Sequence, residues 1–445
     1  MKNANRMLAV VSGTALVMSA SCALAQDWPQ WRGANRDAKA TGFKAPLTWP
    51  KELAQKWKIT VGEGVATPSL VGDKLYVFAR QDGSEVTRCL DAATGKELWQ
   101  EKYDSLGATG PASGFSGPRS SPTVANGKVV TMGVRGVISC LDAATGKLLW
   151  RKDDFKGFWP GFYPSSSPMV ADGLCIAQVG GKENGNRNGT DNSAIVAYDL
   201  ATGNEKWKWT GDSPAYASPA LMTVGGTRLI VAQTDTRMVA LTFAEGKLLW
   251  ETPFAAPQRG YNAATPIVDG QTLIYCGSGR GATAVKFEKA GDAFTAKELW
   301  KNPDNSVQFN TPVLKDGFLF GLTAGNEFFC INAGDGKTAW TAPLTPPTAA
   351  AANPEGQPAG GGQGGGGRRG GGMRAGGYGS IVDAGSVLLA LTPASELIAY
   401  QPNDKAYTEL ARIKVADKPT HAYPVIAGNR VFVKDQDSVT LWTIQ

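Results

Sequence analysis

Eight times along the chain a Ser/Thr-Pro dipeptide, or a near match, opens a short apolar strand, and a Gly-Lys-x-x-Trp-like strand closes the same unit. Two closing segments are almost identical: Leu90-Asp91-Ala92-Ala93-Thr94-Gly95-Lys96-Glu97-Leu98-Trp99 and Leu141-Asp142-Ala143-Ala144-Thr145-Gly146-Lys147-Leu148-Leu149-Trp150. A period of roughly 40–50 residues with several strands per period is that of a β-propeller. Length alone would suggest two or three domains for 445 residues. A propeller instead grows by adding blades around one axis, so a single domain is expected.

The first unit shows the four parts of a blade. Thr67-Pro68-Ser69-Leu70-Val71 leads through a turn at Gly72-Asp73 into Lys74-Leu75-Tyr76-Val77-Phe78. A third strand ends at Cys89-Leu90, and a turn from Asp91 to Lys96 leads into a fourth through Leu98-Trp99. Such short β-rich runs separated by Gly with Asp or Asn are hairpin signals. The opening proline recurs at Pro68, Pro122, Pro168, Pro219, Pro266, Pro312 and Pro424, with Ser380 in its place once. A proline at the start of a strand forfeits no ladder bond, which fits a first strand. The closing tryptophans are Trp57, Trp99, Trp150, Trp207, Trp250, Trp300 and Trp340, with Leu410 in the remaining slot.

The two ends explain each other. After Pro424 only three strands fit, whereas the segment around Trp57 is a fourth-type strand with nothing before it. The expected fold is therefore all-β: an eight-bladed propeller of four-stranded antiparallel blades over 51–445, its last blade closed by the N-terminal strand.

Residues 1–25 read as a secretory signal, with Lys2 and Arg6 before an apolar stretch and Ala23-Leu24-Ala25 as the cleavage site. The expected address is periplasmic or secreted; a lipid anchor at Cys22, which would bring membrane contact, is the less favoured option because its lipobox is poor. Residues 26–50 form an N-terminal arm packed on the propeller. The Ala-, Pro- and Gly-dominated stretch 346–379 lacks the apolar surface to offset its ordering entropy and is expected to be a disordered surface insertion. The formal charge of +6 falls to +4 without Lys2 and Arg6, and no basic cluster marks a nucleic-acid partner. Cys89, Cys140 and Cys330 hold equivalent places in three repeats and read, like Cys175 and Cys276, as buried small hydrophobes. A monomer is expected.

The Leu-Asp-Ala-x-Thr-Gly-Lys-x-x-Trp repeat resembles the tryptophan-docking repeat of the PQQ-like (pyrroloquinoline-quinone-like) β-propeller superfamily. The resemblance covers Lys51 to Gln445 and implies that each Trp packs against the turn of the next blade. Asp27-Trp28-Pro29-Gln30-Trp31-Arg32-Gly33 also looks like the start of many exported bacterial members. One branch of the superfamily comprises quinoprotein dehydrogenases, which hold PQQ and calcium on the axis. Many alcohol-oxidising members carry an adjacent Cys-Cys pair, and this chain has none. The other branch resembles the eight-bladed assembly factor of the outer-membrane β-barrel insertion machinery, and implies a cofactor-free binding scaffold. The nearly bare repeats fit this second branch better.

Propeller topology places the loops between blades around one channel mouth. Their residues precede each repeated proline: Phe115 and Arg119; Phe158, Trp159, Phe162 and Tyr163; Tyr216; Arg259, Tyr261 and Asn262; Gln308, Phe309 and Asn310; Tyr378; and His421 with Tyr423. Aromatics interspersed with Arg, Asn and Gln combine flat apolar contact with directional hydrogen bonding. The expected binding residues are Arg119, Trp159, Tyr163, Tyr216, Arg259, Tyr261, Asn262, Gln308, Asn310 and His421; the alternative is that the aromatics plug the channel. His421 is the sole histidine, which excludes a multi-histidine metal centre, and no G-x-S-x-G elbow accompanies it. No catalytic or metal residue is therefore assigned. The reading is a scaffold for an envelope protein or small ligand with no cofactor. The alternatives are a PQQ- and calcium-dependent oxidoreductase using Arg119, Asn262 or Asn310, and a carbohydrate-binding protein or otherwise unrecognised enzyme.

Overall fold

The computed structural model describes residues 27–257, 260–291, 293–345 and 378–445. The proposed leader, most of the Gly-rich insertion and Arg259 lie outside the described residues. Eight antiparallel sheets follow one another in chain order, seven of four strands and one of five. In the first, Ser69–Val71, Lys74–Gln81, Ser84–Asp91 and Glu97–Asp104 pair in sequence from the innermost strand outward. The fifth strand of the third sheet, Phe158–Trp159, pairs with the far end of Leu174–Glu183. Among the described residues no helix is long and apolar enough to cross a membrane.

The latch is present. Ala54–Thr60 pairs antiparallel with Ser438–Thr443 and supplies the outer strand of the blade formed by Val425–Ala427, Arg430–Lys434 and Ser438–Thr443. Trp57 lies opposite Leu441. The buried Lys434 ammonium donates to the carbonyls of Gly62 (3.2 Å) and Asp435 (3.0 Å), tying the residues that follow the latch to the same sheet. Burial lowers its pKa to about 8.

At the rim, neighbouring blades are joined by tryptophan on glycine. Asp91 Oδ1 accepts from the backbone N–H groups of Ala93 and Thr94 and from the Thr94 hydroxyl, and Asp142 and Asp199 do the same in the next two blades. This folds the turn so that its glycine takes positive φ, +74° at both Gly95 and Gly146. The bare face of that glycine is where the preceding blade's Trp lies: a Cβ on Gly146 would be 2.5 Å from the Trp99 ring. The indole N–H then donates to a carbonyl of the same turn, Trp99 to Ala143 (3.2 Å) and Trp150 to Leu200 (3.0 Å). Trp57, Trp207, Trp300 and Trp340 donate likewise to Ala92, Phe243, Ala333 and Asn403. Trp250 is the exception in form: the blade it faces carries a long hairpin, Gly281–Ala290 with Ala293–Asn302, and it meets Phe287 edge-on at 5.0 Å. Leu410, the non-aromatic member, is partly buried against the core. Cys89, Cys140, Cys175, Cys276 and Cys330 are buried free thiols, and Cys89, Cys140 and Cys330 lie opposite Trp99, Trp150 and Trp340.

At the axis the joint is a girdle of hydroxyls. Before six of the seven opening prolines the preceding residue donates its N–H to the side-chain oxygen of its counterpart in the next blade: Tyr423 to Thr67, Thr67 to Ser121, Ser121 to Ser167, Ser167 to Ser218, Ser218 to Thr265 and Thr265 to Thr311. The counterpart in the seventh blade is Gly379, which has no hydroxyl. This is the purpose of the Ser/Thr in a motif read from sequence for its proline alone.

A pair of substitutions separates rim docking from backbone strain. Gly127 has φ +70° with open space around it, so Gly127→Ala is expected to cost about 1 kcal/mol. Gly146→Ala adds the collision with Trp99 and is expected to cost about 2–4 kcal/mol, read from chemical unfolding midpoints.

Candidate functional site

The loops between blades gather at one end of the axis, and their aromatic rings touch in a chain. Phe115 meets His421 at 4.8 Å, His421 meets Tyr378 at 4.9 Å, and Tyr378 stacks on Phe309 at 4.2 Å. Phe309 stacks on Tyr261 at 5.5 Å, which meets Phe162 at 5.2 Å and Tyr216 at 5.9 Å. Seven loops thus contribute to one continuous series. The gap between Phe162 and Phe115 is spanned by Tyr163, whose hydroxyl accepts from the Thr109 N–H at 3.1 Å, and by Arg119, 5.8 Å from the Tyr163 ring.

The polar residues of the mouth are engaged with backbone. Arg119 donates to the carbonyls of Gly117, Ala112 and Phe115, and burial lowers its pKa. Asn262 gives its amide protons to the carbonyls of Thr234 (2.8 Å), Asp235 (3.0 Å) and Phe254 (2.9 Å) and accepts from Arg280 at 2.6 Å. Asn310 donates to the Leu322 carbonyl at 2.7 Å. Tyr216 accepts from the Phe162 N–H at 3.1 Å, and burial pushes its phenol up to about 12. Gln308 is half-buried. Trp159 is buried and parallel to Tyr163, with centroids 5.5 Å apart.

The His421 ring is held edge-on between Phe115 and Tyr378, and its Nδ1 is buried with no hydrogen-bond partner. Loss of hydration penalises the imidazolium and lowers the pKa to about 4, so the ring is neutral at pH 7. The expected site residues other than Arg259 therefore come together at one mouth. Trp159, Asn262 and Asn310 are buried in its wall, while Tyr261, Gln308, Arg119 and His421 remain partly exposed.

Two arginines escaped the sequence reading. Arg135 lies 4.4 Å over Trp159, and Arg280 lies 3.9 Å over Phe254 while bonding Asn262. Both are in Gly-flanked loops joining the second and third strands of a blade, Gly133–Gly136 and Gly277–Gly281. Antiparallel order brings these loops to the same face as the loops between blades, so topology alone could have found them.

PQQ is a planar tricarboxylate quinone, and holding it with calcium needs free cationic donors and oxygen ligands around a slot. Arg119, Asn262 and Asn310 direct their N–H groups at backbone carbonyls, and the rings close on one another. Among the described residues no group of three or more His, Cys, Asp or Glu side chains is placed to hold a metal ion. The three residues read from sequence as quinone contacts are thus engaged with backbone carbonyls.

Fold and repeat together define an eight-bladed PQQ-like propeller with an aromatic loop mouth. The family model described as outer membrane protein assembly factor BamB matches residues 82–342, and the chain belongs to that family. The outer membrane protein assembly factor BamB of Burkholderia pseudomallei is 25% identical over 315 residues, covering 67% of this chain and 71% of that protein. The quinohemoprotein alcohol dehydrogenase of Comamonas testosteroni is 32% identical over 162 residues, but these are 35% of this chain and 21% of the dehydrogenase. The crystal structure of BamB from Moraxella catarrhalis superposes with a TM-score of 0.58 at 14% identity, covering 88% of this chain and 97% of that one. The Comamonas testosteroni dehydrogenase structure gives 0.60 at 16%, covering 96% and 81%. At these identities the structural likeness is one of fold.

The neutral histidine has a signed consequence. Its folded pKa lies below the unfolded value, so its contribution to stability is complete above about pH 6.5 and is lost as pH falls toward about 4. The single histidine resonance is expected to titrate near 4 in the folded protein. Between pH 6.5 and 5 the wild type should lose stability relative to His421→Phe.

Proposed function

We propose that this protein is a non-catalytic binding scaffold of the periplasm or cell envelope, using the aromatic loop mouth to hold another envelope protein. The observation that carries this reading is the commitment of the mouth's polar groups. Arg119, Asn262 and Asn310 hold loop backbone in place, leaving a rigid surface of partly exposed rings. Preorganised aromatics with a polar border suit recognition, because little conformational freedom is lost on binding. The one histidine, the only possible base for a hydrolase triad, is held by desolvation at a pKa of about 4 and is a weak base near pH 7. Family membership supports the reading, since the matched relatives are named as outer membrane assembly factors. The secretory signal read from the sequence over residues 1–25 supports the compartment. The dehydrogenase likeness supports the runner-up, a quinoprotein oxidoreductase.

The test replaces Phe309 and Tyr261 together with Ser and measures association with solubilised envelope proteins, with circular dichroism as the control for folding. The expected result is a saturable partner whose affinity for the variant falls about tenfold or more. An unchanged partner and affinity would overturn the assignment of the mouth. Adding PQQ with calcium to the wild type should give neither a stoichiometric quinone absorbance nor dye-coupled alcohol oxidation; turnover there would overturn the scaffold reading.

A further inference from the structure

The Ser/Thr-Pro girdle lies beneath the loop mouth, and the N-terminal arm reaches it from the other side. The innermost strand of every blade is an edge strand, and its unpaired backbone faces the axis. At the first five Ser/Thr-Pro steps the Ser/Thr N–H is taken by the next blade's hydroxyl, and at all of the steps the proline has no N–H. At those five steps the girdle therefore offers carbonyl oxygens only.

Some of these carbonyls are satisfied by the residue after the preceding blade's proline. Ser69 Oγ donates to the Pro122 carbonyl and Thr123 Oγ1 to that of Pro168, each at 2.7 Å. The next blade has Met169 at this position and the fifth has Ile267, neither with a donor. The carbonyls they would serve are those of Pro219 and Pro312, and these receive arginines from the N-terminal arm. Arg36 Nη1 donates to Pro219 at 2.9 Å, and its Nη2 to Ser167 and Pro168 at 3.0 Å each. Arg32 Nη2 donates to Pro312 at 3.0 Å and its Nη1 to Thr311 at 3.0 Å, beside the blade whose girdle residue is Gly379. Both guanidiniums are buried, and neither has a carboxylate within ion-pair reach among the described residues.

The arm belongs to no blade. The latch strand pairs along its length, whereas the arm's backbone meets the sheets at isolated points, in the bridges of Trp28 with Leu70 and Lys39 with Asp383 and in a bond from Val124 N–H to the Pro29 carbonyl. Trp31 adds a bond from its indole to Thr265 at 3.0 Å. Its two arginines enter a preformed acceptor ring, while a few backbone bonds, such as Leu70 N–H to the Trp28 carbonyl and Val124 N–H to the Pro29 carbonyl, hold the chain alongside. A planar group with five donors matches several convergent carbonyls, and a lysine ammonium does not.

We propose that the underside of the channel is a receptor site for an extended, arginine-bearing peptide, filled here in cis by the chain's own residues 27–44. The inference concerns the side of the girdle that the arm reaches, not the loop mouth, and stands apart from the function proposed above.

The test uses the full chain carrying Arg32→Gln and Arg36→Gln together, which frees the acceptor ring, and a fluorescent synthetic peptide of residues 27–44. Saturable one-to-one uptake by the variant is expected, with exclusion by the wild type, whose site is filled. Peptides with either arginine replaced by Gln should bind about tenfold more weakly or worse, and Lys replacements should not restore binding. No uptake by a variant with a native circular dichroism spectrum, or equal uptake of the Gln peptides, would overturn the proposal. If the double variant does not fold, the same titration on Arg36→Lys, which keeps the Arg32 bonds, decides between these outcomes.

Discussion

A ring of sheets is held only at the joints between neighbours, since each blade completes its ladder within itself and pairs no strand with the next. The joint is therefore made largely through side chains, repeated from blade to blade with Leu410 and Gly379 as the exceptions. Here it is made at two radii. At the rim an indole lies on the bare face of a positive-φ glycine, Trp99 on Gly146 and Trp150 on Gly203, and bonds a carbonyl of that turn. At the axis a backbone N–H of one blade enters the hydroxyl of the next. Between them lie buried aliphatic clusters shared by adjacent sheets, such as Val130, Cys140, Cys175 and Val196. Two directional joints at different radii fix the angle between blades, which apolar packing alone would leave loose.

That division explains what could be read from the chain. Rim joints use a local motif: Asp, Thr, Gly and Trp lie within ten residues, so Leu90–Trp99 and Leu141–Trp150 announce themselves and their count sets the number of blades. The latch followed from strand-counting at the two ends, and its pairing partner was legible for the same reason. The axial joint was not, because Thr67 and Ser121 meet across 54 positions and each is an ordinary small polar residue by itself. Trp250 shows a further limit: its place in the series was plain, but its partner Phe287 lies on a long hairpin that lacks the turn motif.

The mouth was legible as a location and less so as chemistry. Residues ahead of each proline had to converge, and Tyr261, Phe309, Tyr378 and His421 do. Which polar groups stay free could not be inferred, because that depends on loop carbonyls whose direction no composition encodes. Asn262 is the clearest case: it looks like a ligand donor in sequence and is instead a brace joining three carbonyls and Arg280. A fold shared between assembly factors and dehydrogenases says little about which of these a given mouth resembles.

The two ends of the axis are filled by different means, and this bears on what the mouth can accept. From below, the arm carries Trp31 and Arg32 up to Tyr423, the ring meeting Trp31 edge-on at 4.9 Å. From above, the chain of rings closes over His421, Tyr378 and Phe309. A small ligand seated on the axis would have to part several of these contacts, at about 0.5–1.5 kcal/mol for each aromatic pair. A protein surface laid across the mouth parts none of them and covers rings that are already ordered. The geometry of closure therefore favours a broad partner over a buried one.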